Sequence, residues 1–242
     1  MKYAILGDIH SNLEALEAVL NACSLESVDR YVCVGDIVGY GADPEKCIKI
    51  VKELEPTIVC GNHDWGCVGL VDLDYFNTVA KEAIEWTCYL LSESDCFYLR
   101  SFPLIVQEKR FVLVHSTLDA PERFDYMFNA SVAEKTLQLM TTPLCFIGHI
   151  HIPMIFQKTI EGPVEYSYNW KTEYSPLVKQ IVSVGSVGQP RDGDPRACYV
   201  IYDSKKDIVE IKRVEYNVSL AQKKIYNAGL HPILASRLAE GR

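Results

Sequence analysis

Metal-ligating residue types fall in short blocks along this 242-residue chain: Gly7-Asp8-Ile9-His10, Gly35-Asp36, Gly61-Asn62-His63-Asp64, His115 and Gly148-His149-Ile150-His151. These blocks hold five of its six His. Divalent transition metals take neutral imidazole and carboxylate as donors, and two such ions roughly 3.5–4 Å apart can clamp a phosphoryl group. Asp8-x-His10 and His149-x-His151 each offer two donors from one turn. Asp36 brings a carboxylate able to bridge two ions, and Asn62 an amide oxygen. His115 completes a donor set of nitrogen and oxygen. Each block alone has an ordinary reading. A D-x-H is commonly a turn Asp beside a surface His, an H-x-H can put two imidazoles on one strand face, and G-N-H-D suits a plain turn. Their recurrence at successive strand ends argues for one shared metal site.

The elements that must position these blocks follow a rhythm. Residues 3–6, 31–34 and 57–60 are short apolar runs, and residues 12–22 and 44–54 between them have helical spacing. Such runs alternating with amphipathic helices predict a parallel sheet buried on both faces. Functional groups in such sheets gather beyond the carboxyl ends of the strands, and each run here leads straight into a donor block. A helix is expected over 75–91, strands over 97–99, 104–107 and 111–115, a helix over 132–140, and a strand over 144–147. Residues 152–184 read as strands around turns with an aperiodic middle, and 197–203 with 208–213 as a hairpin. The end of the chain reads as helical over about 219–238, with a break at 229–232. A single domain over 1–242 is expected, with a surface insertion at 162–178 and a C-terminal helical tail at 216–242.

Composition narrows the function classes. The chain is 48% hydrophobic and 23% charged, enough apolar material for a core. No apolar run reaches the roughly 18 residues a membrane span needs, and the run at the N-terminus is too short for a secretion signal. Nine Cys without a C-x-x-C pair suggest reduced thiols and a cytoplasmic setting, and make a zinc–thiolate site the weaker reading. A net charge of -8 without a Lys/Arg run speaks against a nucleic-acid partner, and nothing suggests a membrane partner. Bound cations would supply locally the positive charge that a phosphate needs.

Taken in order, the five blocks resemble the calcineurin-like metallophosphoesterase superfamily. Residues 8–16, the stretch Gly35-Asp36-Ile37-Val38-Gly39-Tyr40-Gly41, and residues 185–193 are similar to a bacterial and archaeal branch of small phosphodiesterases. The resemblance implies an α/β fold, a four-layer α-β-β-α sandwich of two mixed β-sheets. It implies two divalent transition-metal ions, manganese foremost, with iron, zinc or nickel as alternatives. Asp8, His10, Asp36 and His151 would hold one ion, and Asp36, Asn62, His115 and His149 the other. Hydroxide between the ions would attack phosphorus in line, and His63, oriented by Asp64, would protonate the departing oxygen.

Two departures from the family pattern shape the expectation further. Protein Ser/Thr phosphatases of the superfamily carry a G-D-x-x-D-R-G block; Gly39-Tyr40-Gly41 stands there instead, without the Arg. That turns the expected substrate towards small-molecule phosphodiesters, with dinucleoside polyphosphates or phosphomonoesters as alternatives. A non-catalytic metal-binding interaction module is the reading from another class. The Gly that commonly follows the strand-end His is replaced by Ser116. Asn12 is a candidate for phosphate contact or for a helix N-cap. Arg191 suits bidentate grip on phosphate or an ion pair with Asp192 or Asp194. His231 reads as structural, and the oligomeric state is left open.

Overall fold

The computed structural model describes residues 1–159, 162–173, 175 and 177–242. The first third alternates strand and helix: β1 (Lys2–Leu6), α1 (Leu13–Leu25), β2 (Arg30–Cys33), α2 (Pro44–Leu54), β3 (Thr57–Ile58) and the short α3 (Asn62–Cys67). The three strands pair in parallel. Next come α4 (Thr78–Leu90), α5 (Glu93–Arg100), β4 (Ile105–Gln107), β5 (Phe111–Val114), α6 (Ala130–Leu139) and β6 (Leu144–Ile147). The remainder is β7 (Pro153–Thr159), β8 (Glu165–Ser167), β9 (Lys171–Glu173), β10 (Val178–Val184), β11 (Ala197–Asp203), β12 (Ile208–Val214), α7 (Val218–Asn227) and α8 (Pro232–Glu240).

The strands form two mixed six-stranded sheets, in the orders β3-β2-β1-β11-β12-β9 and β4-β5-β6-β10-β7-β8. The period of two along each strand explains how the layers stack. On β1, Ile5 faces the space between the sheets with Phe146, Val182 and Tyr202, while Ala4 and Leu6 face outward under Leu16 and Val19 of α1. On β5, Phe111 and Leu113 join that inner core, and Val112 and Val114 pack outward on Ala133 and Leu137 of α6. The result is helix, sheet, sheet, helix, the four-layer sandwich that the motifs implied.

Residues 97–99, expected as a strand, lie instead in α5. Ser92 caps that helix by accepting the Asp95 N–H at 3.2 Å, and Glu93 and Asp95 place acidic charge in its first turn. Three apolar residues are too few to separate a period of two from one of 3.6. Within 162–178, β8 pairs with β7 and β9 with β12, so the segment adds an edge strand to each sheet. The C-terminal helices pack with Tyr40, Ala80 and Ala83 in a separate apolar cluster. All nine Cys are free thiols. Among the described residues, no helix is long and apolar enough to cross a membrane.

Candidate metal centre

The donor blocks converge because each follows the carboxyl end of a parallel strand. Asp8 and His10 follow β1, Asp36 follows β2, Asn62 opens α3 after β3, His115 follows β5, and His149 and His151 follow β6. Beyond the strand ends the loops keep pairing: Asp8 N–H donates to Gly35 C=O at 3.0 Å, His10 N–H to Asp36 C=O at 3.0 Å, and Gly148 N–H to His115 C=O at 2.9 Å. This continued pairing carries the strand hydrogen-bonding on into the loops. Asp8, His10, Asp36, His149 and His151 all adopt left-handed backbone, with φ between 48° and 68°. Asp and His tolerate that region better than most residues, at a cost of about 1–3 kcal/mol each. Five such residues at one place mark a geometry held by the surrounding structure. A Cβ at Gly61 would lie 2.0 Å from Asp36 Oδ1, so only glycine lets α3 approach that carboxylate.

The imidazoles are oriented from behind. Nδ1 of His10 lies 3.0 Å from Val38 C=O, Nδ1 of His115 2.6 Å from Val34 C=O, and Nδ1 of His151 2.6 Å from Gln189 C=O. A carbonyl only accepts, so each Nδ1 carries a proton, and each ring turns its Nε2 inward, where in the neutral form it presents a lone pair. There His151 Nε2 lies 3.3 Å and His10 Nε2 3.9 Å from Asp8 Oδ1. His10 Nε2 and His115 Nε2 lie 3.5 Å and 3.4 Å from Asp36 Oδ2. Three groups have donor atoms all within 4.8 Å of one another: Asp8–His10–His151, Asp36–His115–His149 and His10–Asp36–His63. Asn62 Oδ1 and His149 Nε2 are buried with no hydrogen-bond partner among the described residues. Buried lone pairs left unmatched cost free energy that a cation recovers. The donor set therefore fits divalent metal ions.

Charge and burial act in opposite senses here. Burial would raise the Asp36 carboxyl, but the His115 and His63 imidazoles outweigh it and hold Asp36 well below the carboxylate range. Burial would lower His115, but Asp36 overcomes it and lifts the ring to about 9. Burial drives His10, His149 and His151 well below the usual histidine range and His63 to about 4. Burial, then the Asp36 charge, raises Asp64 to about 7.

The Asp64 carboxylate is engaged by the backbone around Asp36. It accepts four backbone N–H groups, from Asp36 (2.8 Å), Ile37 (2.9 Å), Val38 (3.3 Å) and Gly61 (3.0 Å). His63 Nδ1 is buried without a hydrogen-bond partner among the described residues. Asp64 thus fixes the Asp36 loop against α3, and the His63 ring is placed by Tyr40 at 4.4 Å, His10 at 4.8 Å and Phe76 at 5.2 Å. Asn12 is the N-cap of α1: Oδ1 accepts Ala15 N–H at 3.2 Å and Nδ2 donates to Gly188 C=O at 2.8 Å. Ser116 is not among the left-handed residues, so the turn after His115 does not need the family's glycine.

Arg191 is not paired with its neighbouring carboxylates, since Asp192 meets Arg213 and Asp194 meets Arg196. Its guanidinium is held by Gln189 Oε1 at 2.9 Å and lies over the Tyr40 ring at 5.7 Å, where its charge adds to burial in depressing the His151 imidazole. Tyr40 is buried, between His10, His63 and Arg191 on one side and the C-terminal helices on the other. The sequence did not single out Gln189, which orients both His151 and Arg191, nor Tyr126, whose ring stacks on His149 at 4.1 Å. Neither lies in a block with a donor pattern.

Two stacked mixed sheets with Asp, His and Asn donors gathered beyond the strand ends are the architecture of metal-dependent phosphoester hydrolases. Residues 1–207 match the calcineurin-like phosphoesterase superfamily domain, and the chain belongs to that family. It is 40% identical over 243 residues to an uncharacterised protein of Methanocaldococcus jannaschii, covering 99% of this chain and 98% of the relative. A metallophosphoesterase from Sphaerobacter thermophilus is 37% identical with a TM-score of 0.87, over 100% of this chain and 99% of that one. A hypothetical protein from Pyrococcus horikoshii, 20% identical, shares the fold at a TM-score of 0.80 over 100% and 98% of the two chains.

Proposed function

We propose that this chain hydrolyses small-molecule phosphodiesters at a dinuclear metal centre. The observation that carries the reading is the pair of buried donor groups, Asp8–His10–His151 and Asp36–His115–His149, side by side around Asp36. Asp8, His10, Asp36 and His151 would hold one ion, and Asp36, Asn62, His115 and His149 the other, with manganese the proposed metal. When bound, the two ions make water a nucleophile near neutral pH and offset the negative charge on the phosphoryl oxygens. Arg191 grips a phosphoryl oxygen from the side of Tyr40. His63 gives a proton to the departing oxygen. Burial disfavours its charged form, so it takes up that proton when an anionic phosphate arrives beside it. Gly39-Tyr40-Gly41 in place of an Arg block favours small diesters over phosphoproteins. The nine free thiols suit a reducing cytoplasm.

The test uses metal-stripped protein reconstituted with Mn, Fe, Ni, Zn or Mg. It is assayed on a bis-aryl phosphate, an aryl phosphate and diadenosine tetraphosphate, with metal binding followed by calorimetry. Turnover of the diester above the other two supports the reading. Metal binding without turnover of any substrate would replace it with a non-catalytic metal module. His63→Ala should lose rate by about 10²–10⁴-fold and keep its metals, whereas Asp36→Ala should lose both.

A further inference from the structure

The cleft beside the metal centre is larger and more aromatic than phosphoryl chemistry requires. It encloses about 910 Å³, in the upper part of the range for small-molecule sites, and Asn62, His63 and His149 stand in its wall. Tyr126 lies parallel to the His149 imidazole, at 4.1 Å and 22°, and Phe128 lies on Tyr126 at 5.4 Å and 8°. Both outer rings are half exposed, at 50% and 54%, and Tyr75 in the cleft wall is 87% exposed. Phe128 and His149 take the two faces of Tyr126, so Tyr75 and the exposed edge of Tyr126 are the ring surfaces that the cleft leaves in water for a planar group to lie against.

Charge narrows what can stack there. Asp72, Glu122, Arg123 and Asp125 line the cleft, and Arg123 is paired with Asp125 at 3.0 Å. Asp72, whose Oδ1 accepts the Asp74 N–H at 3.0 Å, and Glu122 keep negative charge there that repels a further phosphate. The same carboxylates accept hydrogen bonds from ring amino groups. His63 opens onto this cleft, so the oxygen it protonates departs into it.

We propose that this cleft is the leaving-group subsite, and that it takes an uncharged planar ring system, a nucleoside joined through a single phosphodiester, in preference to a polyphosphate chain. The inference rests on the phosphoesterase reading above. In the reaction water adds across the P–O ester bond: its oxygen bonds to phosphorus as the P–O ester bond breaks, the ester oxygen leaves with the proton from His63, and the proton that water releases restores the one His63 gave. The products are a phosphomonoester and a neutral nucleoside.

The Mn-loaded chain is given a dinucleoside monophosphate, a ring-free glycerophosphodiester and diadenosine tetraphosphate. The wild type should favour the dinucleoside monophosphate. Tyr126→Ala should cut its kcat/KM advantage over the ring-free diester by about tenfold, and Tyr75→Ala, which does not touch a metal donor, should do so in the same direction. Asp72→Asn with Glu122→Gln should raise the relative kcat/KM for the tetraphosphate at least about fivefold. A wild type that cleaves ring-bearing and ring-free diesters alike, or variants that leave the ratios unchanged, would overturn the subsite while the phosphoesterase reading stands. Adenosine binding, followed by NMR line broadening, gives a readout without turnover. Broadening that is lost in Tyr126→Ala and Tyr75→Ala supports the subsite, and no broadening with the wild type overturns it. No hydrolysis of any substrate with any metal would count against the phosphoesterase reading alone.

Discussion

The Nε2 atoms of His10 and His151 face each other at 3.1 Å, while their Nδ1 atoms donate to the carbonyls of Val38 and Gln189. Two lone pairs at that distance repel unless a proton or a cation lies between them. Burial disfavours the protonated form of both rings, which leaves the cation. Manganese at about 100 times its dissociation constant should therefore stabilise the fold by about 2.7 kcal/mol, a rise in Tm of roughly 5–10 °C at this chain length. Thermal scans with and without chelator measure it. His151→Ala should lose at least half the shift, and an undiminished shift would contradict the assignment of that ring.

Asp64 tests whether the buried carboxylate serves the loop or the His63 ring. Asp64→Asn replaces one acceptor oxygen by an amino group that faces backbone N–H donors. The loss should be about 2–4 kcal/mol of stability, with metal affinity down about 10–100-fold through the loosened Asp36 loop. Urea denaturation and metal titration read both. Unchanged metal affinity with a shifted pH–rate limb would instead return Asp64 to orienting His63.

Both polar groups of Asn12 are engaged within the fold. Asn12→Ala should cost about 1–2 kcal/mol as a lost helix cap, with kcat/KM changed less than about threefold once the protein is folded. Asn12→Ser should recover most of the stability, since Ser also caps. A large rise in KM for the serine variant would make Asn12 a substrate contact after all.

Arg191 should behave in the opposite way. If Arg191 grips phosphate as proposed, Arg191→Ala should lose a charge-assisted contact worth about 1.5–3 kcal/mol, roughly 10–100-fold in kcat/KM, with little change in urea midpoint. Arg191→Lys keeps the charge but not the fork, so it should recover only part of that loss.

The C-terminal helices are tied to α2 through Asp43, which Lys224 of α7 meets at 2.7 Å and Lys46 at 2.6 Å, with Glu14 also on Lys224. Burial would raise the Asp43 carboxyl, but the two lysines outweigh it and depress it below the usual carboxylate value. A depressed folded pKa stabilises fully above the unfolded value of about 3.9 and loses that effect as pH falls towards the folded one. Hydrogen exchange in α7 and α8 should accelerate relative to the sheets as pH falls below about 4. Asp43→Asn should flatten that difference, and equal acid sensitivity in the variant would place the weak point elsewhere.

Much of the fold was legible because its cause is local. Residues 3–6, 31–34 and 57–60 announced the parallel strands by unbroken apolar runs, and helix spacing marked α1 and α2. The triplet at 97–99 failed because its cap, Ser92, and its buried contact, Leu99, lie at the two ends of a turn structure that three residues cannot display. The edge strands β8 and β9 were illegible for another reason: each is three residues long and half solvated, so no apolar alternation marks it.

The sequence by itself determined the donor types, their order and their place after strand ends, because side-chain chemistry and hydrophobic period are written over a few consecutive residues. Only the tertiary structure decided which donors share a position, that the Asp64 carboxylate accepts the backbone N–H groups of the Asp36 loop, and that Tyr126 stacks on His149. Those relations join residues such as His10 and His151, 141 positions apart, whose separation is set by how the two sheets pack.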